Sequence, residues 1–187
     1  MRIAIVGSTG VGKSTTAKYL QERLRGYILS LEPIPSSLQR FLDAQGSDVE
    51  YYERLRHDYN IINAHYRLLP ERTSDRVVIE RPAAENVYCF GLEQDKSLFF
   101  KAYMELAEKL PIDVVIYLKA LPDVITERIN RRNRPGEGFY SRDWVKQHCQ
   151  VYEDSYRLIA NAHSCKRIEV IECSIKTPDQ VVGEIIN

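Results

Sequence analysis

The sequence lacks three features that would indicate a membrane, secreted or nucleic-acid-binding protein. No apolar run approaches the about 20 residues that span a bilayer, and the chain begins with a predicted strand, without a signal-peptide pattern. The 26 basic and 26 acidic residues cancel, so no overall field attracts nucleic acid or an anionic membrane. The four cysteines have neither metal-ligand nor disulfide spacing. We therefore expect a cytosolic protein with reduced thiols and small-molecule partners, without nucleic acid or membrane among them.

The chain does contain enough apolar residues for one core. Its 187 residues are 44% hydrophobic, which predicts a single domain over residues 1–187. Short apolar runs rich in β-branched residues predict five strands, at 3–6, 27–31, 77–79, 114–118 and 168–171. Predicted helices separate these strands, so the connections are crossovers and the strands run parallel. The predicted fold class is α/β, a five-stranded parallel sheet with helices on both faces.

The helix predictions follow from spacing and from glycine and proline positions. The first predicted helix covers residues 14–25 and ends at Gly26, which suits a C-terminal cap. Residues 36–69 are predicted to form two helices, and residues 86–110 one long helix that Pro111 stops. Two more helices are predicted over residues 122–131 and 143–160.

Directly after the first strand, the sequence Gly-Ser-Thr-Gly-Val-Gly-Lys-Ser predicts a P-loop. Its glycines allow consecutive backbone N–H groups to face one anion, and the following helix adds its positive end. Lys13 supplies a charge for the β- and γ-phosphates, and the Ser14 hydroxyl suits Mg²⁺. We predict binding of a nucleoside triphosphate, ATP, by Gly7, Ser8, Thr9, Gly10, Val11, Gly12, Lys13, Ser14 and Thr15.

Acidic and basic residues follow the second and third strands, where ligands of a parallel sheet gather. Glu32, before Pro33, suits a general base that accepts a proton from an attacking hydroxyl. Glu80 and Arg81 pair an acid that organises Mg²⁺ with a guanidinium that neutralises charge on the phosphoryl group. The alternatives are a solvated acid at Glu32 and a structural ion pair at Glu80 and Arg81.

An arginine-rich segment over residues 128–141 predicts a lid. Arg128 and Arg132 lie one helical turn apart, and Arg134 follows just before a turn with proline and glycine. Guanidinium groups with this spacing can clamp the phosphates of the donor nucleotide when the lid closes. A merely solvated helix face is the alternative.

Together these residues resemble the deoxynucleoside kinase family over most of the chain. The resemblance rests on Glu32 with Pro33, on Glu80 with Arg81, on Tyr88-Cys89-Phe90, and on the arginines of the lid. It implies a P-loop kinase three-layer sandwich in which Glu32 activates the 5′-hydroxyl of a deoxynucleoside. Pro82 departs from the family pattern, which has serine after the acid and arginine.

The resemblance also implies residues for the acceptor. Glu137, just beyond the lid arginines, would hold the sugar 3′-hydroxyl. Asn60 and Arg67 have the spacing of the family's base-reading pair, with asparagine in place of glutamine, and Asn86 falls at a position that tunes base preference.

The predicted function is ATP-dependent phosphorylation of a deoxynucleoside, with Mg²⁺, in nucleotide salvage. A deoxynucleoside monophosphate kinase of the thymidylate kinase type stays open, because spare arginines could hold a second phosphate. A non-catalytic nucleotide-binding module is a further alternative. We also expect a homodimer, with Phe99, Phe100 and Tyr103 either in the core or at the dimer face.

Overall fold

The computed structural model describes residues 1–31, 76–90, 98–109, 111–133 and 140–187. Five strands lie within these ranges: β1 Arg2–Val6, β2 Ile28–Ser30, β3 Val77–Glu80, β4 Val114–Lys119 and β5 Arg167–Glu172. They form one sheet in the order β2-β3-β1-β4-β5 with every pairing parallel. The predicted α/β class and five-stranded parallel sheet are confirmed.

Helices connect the strands and flank the sheet. Those within the described ranges are α1 Lys13–Arg23, α2 Ala83–Phe90, α3 Leu98–Lys109, α4 Pro122–Arg132, α5 Arg142–Ala162 and α6 Pro178–Ile186. None of these helices is long and apolar enough to cross a bilayer. Helix α6 was not predicted, although Thr177 and Gln180 form a capping box at its start.

The single long helix predicted over residues 86–110 is wrong. Helix α2 begins earlier, at Ala83, and packs against α3, which two parts of one straight helix cannot do. Gly26 also lies beyond the C-cap of α1, which is Leu24. Its φ of +83° places it in the turn toward β2. The helices predicted over residues 36–69 lie outside the described residues.

The central strands bury both faces. Side chains of β1 alternate between the two, so Ile3 and Ile5 pack with α1, α4 and α6, whereas Ala4 and Val6 pack with α2, α3 and α5. Strand β4 is almost entirely buried. A central parallel strand covered on both faces reads as a continuous apolar run, which is why these two strands were evident in the sequence.

Candidate active site

The P-loop connects β1 to α1 and depends on glycine at positions that another residue cannot occupy. Gly7 has φ +148°, and an added Cβ would lie 2.5 Å from the carbonyl oxygen of Leu118 in β4. Gly12 is the N-cap of α1 with φ +112°, a conformation that L side chains rarely adopt. These glycine conformations allow the tight turn from β1 into α1, and the N-terminus of a helix is favourable for an anion.

Lys13 begins α1 and lies against the P-loop backbone. Its side chain is buried, and Nζ donates hydrogen bonds to the carbonyl oxygens of Gly7 at 2.5 Å and Ser8 at 2.9 Å. A buried ammonium group requires such acceptors, because removing it from water is costly. The contacts hold the positive charge beside the concavity of the loop, as expected for a residue that binds phosphate oxygens.

Ser14 and Glu80 meet across the edge of the sheet. The Ser14 hydroxyl donates to Oε1 of Glu80 at 2.6 Å, although 66 residues separate them in sequence. Strands β1 and β3 are direct neighbours, with Ile5 paired to Glu80, so the end of β3 lies beside the first turn of α1. The structure thus places a hydroxyl and a carboxylate together at the P-loop.

Arg81 follows Glu80 in a backbone conformation unusual for a residue with a side chain. Its φ is +59°, a left-handed value that costs about 1–3 kcal/mol and that the surrounding structure must hold. Its N–H donates to the carbonyl oxygen of Ile5. The guanidinium lies 3.4 Å from the Thr9 hydroxyl of the P-loop and 3.7 Å from a carboxylate oxygen of Glu85.

His163 holds the helix that follows Arg81. The Ala84 N–H in the first turn of α2 donates to Nε2 of His163 at 3.2 Å, and His163 is almost completely buried. The carbonyl oxygen of His163 accepts from Ile112 just before β4. No catalytic role was predicted for this histidine. Its contacts connect α2, the end of α5 and the segment that leads into β4.

Arg128 in α4 contacts backbone carbonyl groups. Its guanidinium donates to Val11 in the P-loop at 3.2 Å, to Cys173 at 2.8 Å and to Ser174 at 3.3 Å. These contacts join the P-loop to the turn after β5. The predicted contact of Arg128 with donor phosphates stays a prediction. Arg132 is the last residue of the same helix and is partly buried. Because both arginines lie in one helix, four residues apart, their predicted one-turn spacing is confirmed.

Five predicted site residues lie outside the described residues, namely Glu32, Asn60, Arg67, Arg134 and Glu137. Asn86 lies in α2, but its side chain is outside the description, as are those of Phe99, Phe100 and Tyr103.

All four cysteines are free thiols, as predicted. Burial raises the pKa of Cys149, whose sulfur lies 3.6 Å from the Ser8 hydroxyl of the P-loop. Burial raises the pKa of Cys89 as well, and the charge of Glu85 raises it further. A thiol that stays protonated is a poor nucleophile, so these residues contribute packing at the site.

Two buried residues of the site were missed in the sequence. Glu85 and Tyr152 are completely buried, and the Tyr152 hydroxyl donates to Glu85. The spacing of Arg81 and Glu85 by four residues was available as a signal for an ion pair on a helix. Nothing local indicates Tyr152, which lies 67 residues beyond Glu85.

Curated proteins of similar sequence include kinases from archaea and bacteria. A putative adenylate kinase of Pyrococcus furiosus is 25% identical over 188 residues, covering 100% of this chain and 83% of the relative. A deoxyadenosine/deoxycytidine kinase of Bacillus subtilis is 28% identical over 176 residues, covering 81% of this chain and 75% of the relative.

The fold is similar to that of a solved deoxyadenosine kinase from M. mycoides with bound dATP, with a TM-score of 0.71 and 20% identity. That similarity covers 100% of this chain and 98% of the other. The sequence pattern of the family described as deoxynucleoside kinase matches residues 3–187. Since the match spans nearly the whole chain, the protein belongs to the deoxynucleoside kinase family and is a nucleoside-phosphorylating enzyme.

Proposed function

We propose that this kinase transfers the γ-phosphate of ATP to the 5′-hydroxyl of a deoxynucleoside. The observation that carries the proposal is the meeting of Ser14 and Glu80 at the P-loop, with Lys13 and Arg81 beside them. Phosphoryl transfer requires little covalent chemistry from the protein and much charge stabilisation around the transferred group. Two cations and two oxygen ligands at the end of a parallel sheet supply that environment.

Each of these side chains has a distinct part in the proposed reaction. Lys13 would bind β- and γ-phosphate oxygens of the donor, while the backbone N–H groups of the P-loop bind the rest. Arg81 would contact the transferred phosphoryl group or the 5′-oxygen, where negative charge develops. Strand β2 pairs with β3 through Ser30 and Ile79, so these strands end at the same edge. This pairing supports Glu32, two residues after Ser30, as the base that accepts the 5′-hydroxyl proton.

Magnesium fits the donor set at this edge. A serine hydroxyl and a carboxylate at 2.6 Å are hard oxygen ligands, and Mg²⁺ commonly takes one or two such protein ligands together with substrate phosphates. Ser14 and Glu80 would hold the ion. When bound, it neutralises charge on the β- and γ-phosphates.

The donor and acceptor sites extend beyond this centre. For the donor we propose contacts from Arg128, Arg132 and Arg134, and for the acceptor contacts from Asn60, Arg67, Asn86 and Glu137. The family membership and the one-turn spacing of Arg128 and Arg132 support these assignments. We also propose a cytosolic homodimer acting in nucleotide salvage, whose mass can be measured by light scattering.

A nucleoside monophosphate kinase is the second candidate function. Its specific support is the name of the Pyrococcus furiosus relative, a putative adenylate kinase. Such an enzyme needs no general base, because its acceptor oxygen is already ionised at neutral pH. It needs cations that hold the acceptor phosphate instead.

A panel of acceptors separates the two functions. We would incubate the enzyme with ATP and Mg²⁺ and each of four deoxynucleosides and four deoxynucleoside monophosphates, and follow the phosphorylated products by mass spectrometry. Lys13→Ala serves as the inactive control. We expect deoxynucleosides to gain phosphate, whereas turnover of monophosphates alone would replace the first proposal with the second.

Glu32→Gln tests the base itself. The amide cannot accept the proton, so kcat for the best deoxynucleoside should fall by about 10²- to 10⁴-fold, while ATP binding measured by calorimetry is retained. An unchanged kcat would contradict the assignment of Glu32.

A further inference from the structure

A fully buried pair of polar side chains lies next to Arg81 and has no assigned role. Glu85 belongs to the first turn of α2, Tyr152 to the middle of α5, and both have 0% of their surface exposed. The Tyr152 hydroxyl donates to Oε1 of Glu85. Burying a carboxylate and a phenol is costly unless they are paired, so this arrangement has to offset a large loss of hydration.

The same carboxylate oxygen of Glu85 lies near Arg81. The distance from Arg81 Nε to Oε1 is 3.7 Å, and the arginine side chain is 13% exposed. An arginine has a long, flexible stem, and a fixed carboxylate limits the directions that its guanidinium can take. Glu85 thus lies between Tyr152 and the cation that we assign to the transferred phosphoryl group.

Tyr152 is itself held by an aromatic series that runs from Tyr140, just before α5, to the middle of that helix. Tyr140 stacks on Trp144, Trp144 stacks on His148, and His148 contacts Tyr152 edge-on with ring centroids 5.2 Å apart. The ring of Tyr152 also lies 5.7 Å from Nζ of Lys13. The ring of Tyr152 therefore lies beside Lys13, and its hydroxyl contacts Glu85, which is the neighbour of Arg81.

The pKa of Tyr152 agrees with the role of its hydroxyl as a hydrogen-bond donor to Glu85. Burial raises the pKa of Tyr152 well above its usual value, and the negative charge of Glu85 raises it further. The hydroxyl thus keeps its proton at any pH at which the enzyme is assayed.

We propose that Glu85 and Tyr152 are positioning residues, which hold the Arg81 guanidinium in the orientation required for phosphoryl transfer. This inference rests on the proposed function, because it assumes that Arg81 contacts the reacting group. Neither residue needs to touch substrate. Without the tyrosine hydroxyl, the Glu85 carboxylate loses a donor that fixes its rotation, and the guanidinium beside it gains freedom.

Tyr152→Phe tests the hydroxyl while keeping the ring beside Lys13. We expect kcat to fall about 10-fold, the usual scale for an orienting contact, with KM for ATP unchanged within about twofold and an unchanged circular dichroism spectrum. Tyr156→Phe is the matched control, because Tyr156 lies one turn further along α5 and stacks on Tyr117 instead. Its kcat should equal that of the unmodified enzyme.

Glu85→Gln is a second variant for the case that Tyr152→Phe does not fold. The amide keeps the volume and an oxygen acceptor for Tyr152 but removes the charge beside Arg81. We expect a loss in kcat of about 10- to 100-fold. Full activity in a folded Glu85→Gln or Tyr152→Phe enzyme would overturn the proposal.

The double variant Tyr152→Phe, Arg81→Ala separates positioning from a structural effect. If Tyr152 acts through Arg81, then adding Tyr152→Phe to Arg81→Ala changes kcat by less than about twofold, whereas independent effects would multiply. A multiplied loss overturns the positioning role and leaves the proposed function standing. If Arg81→Ala alone retains full kcat, the assignment of Arg81 under the proposed function fails, and the positioning role fails with it.

Discussion

Arg81 and Arg128 lie on different sides of one P-loop, and the groups that hold them differ. Arg81 is near a hydroxyl and a carboxylate, both on side chains, at 3.4 and 3.7 Å. Arg128 donates to three backbone carbonyl oxygens from two separate parts of the chain. Close contacts to carbonyl groups make the Arg128 guanidinium part of the framework, whereas the Arg81 guanidinium faces a hydroxyl of the P-loop. The comparison predicts that Arg81 contributes mainly to the reaction, and that Arg128 stabilises the fold in addition to its proposed contact with the donor.

Removing Arg81 should have the largest effect on the reaction. Arg81→Ala removes a cation from the transition state, so we expect kcat to fall about 10³-fold, with a lower melting temperature because the buried Glu85 carboxylate loses its nearby cation. Steady-state kinetics with the best deoxynucleoside measures the first quantity and calorimetry the second. A kcat within about threefold of the original would place Arg81 in the framework with Arg128.

Removing Arg128 should lower stability as well as weaken binding of the donor. Arg128→Ala removes the guanidinium donor from three carbonyl groups, of which that of Val11 also accepts from the Cys173 thiol, and we expect a cost of about 3 kcal/mol. For a chain of this size that corresponds to a melting temperature lower by roughly 6 to 12 °C. Thermal unfolding followed by circular dichroism measures it. An unchanged melting temperature would contradict the framework role, and an unchanged KM for ATP would contradict the proposed contact with donor phosphates.

The next loss of stability is expected at His163, which holds the helix that follows Arg81. His163→Ala removes the acceptor for the Ala84 N–H in a buried position, so we expect a loss of about 2 kcal/mol. His163→Gln keeps a side-chain acceptor and should lose less. Urea denaturation measures both variants, and equal stability of all three proteins would show that this hydrogen bond contributes nothing.

The smallest effect on stability is expected for an arginine far from the P-loop. Arg23 in α1 pairs with Asp179 in α6 at 2.8 Å, and both side chains are about half exposed. Exposed pairs are screened by water, so Arg23→Ala should change the free energy of unfolding by less than about 0.5 kcal/mol. The measurement is urea denaturation at two salt concentrations. A loss equal to that of Arg128→Ala would mean that solvent exposure does not determine how much these two arginines stabilise the fold.

The strands and the P-loop were predictable because their signals are local. Buried parallel strands such as β1 and β4 are continuous apolar runs, and a P-loop needs glycine at fixed offsets. Helix boundaries were less predictable. The helix expected over residues 86–110 began at Ala83 and divided into α2 and α3, which pack against each other. Tertiary packing decided that outcome, and helical propensity does not report it.

The site was predictable where polar residues directly follow a strand. Ser14 and Glu80 could be expected near each other because parallel strands end at a common edge, and the structure brings them within 2.6 Å. Their role at a magnesium site stays a prediction. Glu85 and Tyr152 could not be paired in this way. A contact between residues 67 positions apart depends on how α2 packs against α5.

The sequence by itself determined that the chain binds phosphate and that the sheet is parallel, since both follow from short patterns of glycine, lysine and β-branched residues. The tertiary structure alone decided which arginine contacts side chains and which contacts carbonyl groups. Arg81 and Arg128 are the same residue type, and each directly follows a glutamate in the sequence. Their difference comes from which neighbours the sheet order and helix packing bring within hydrogen-bond distance, and that is a property of the folded chain.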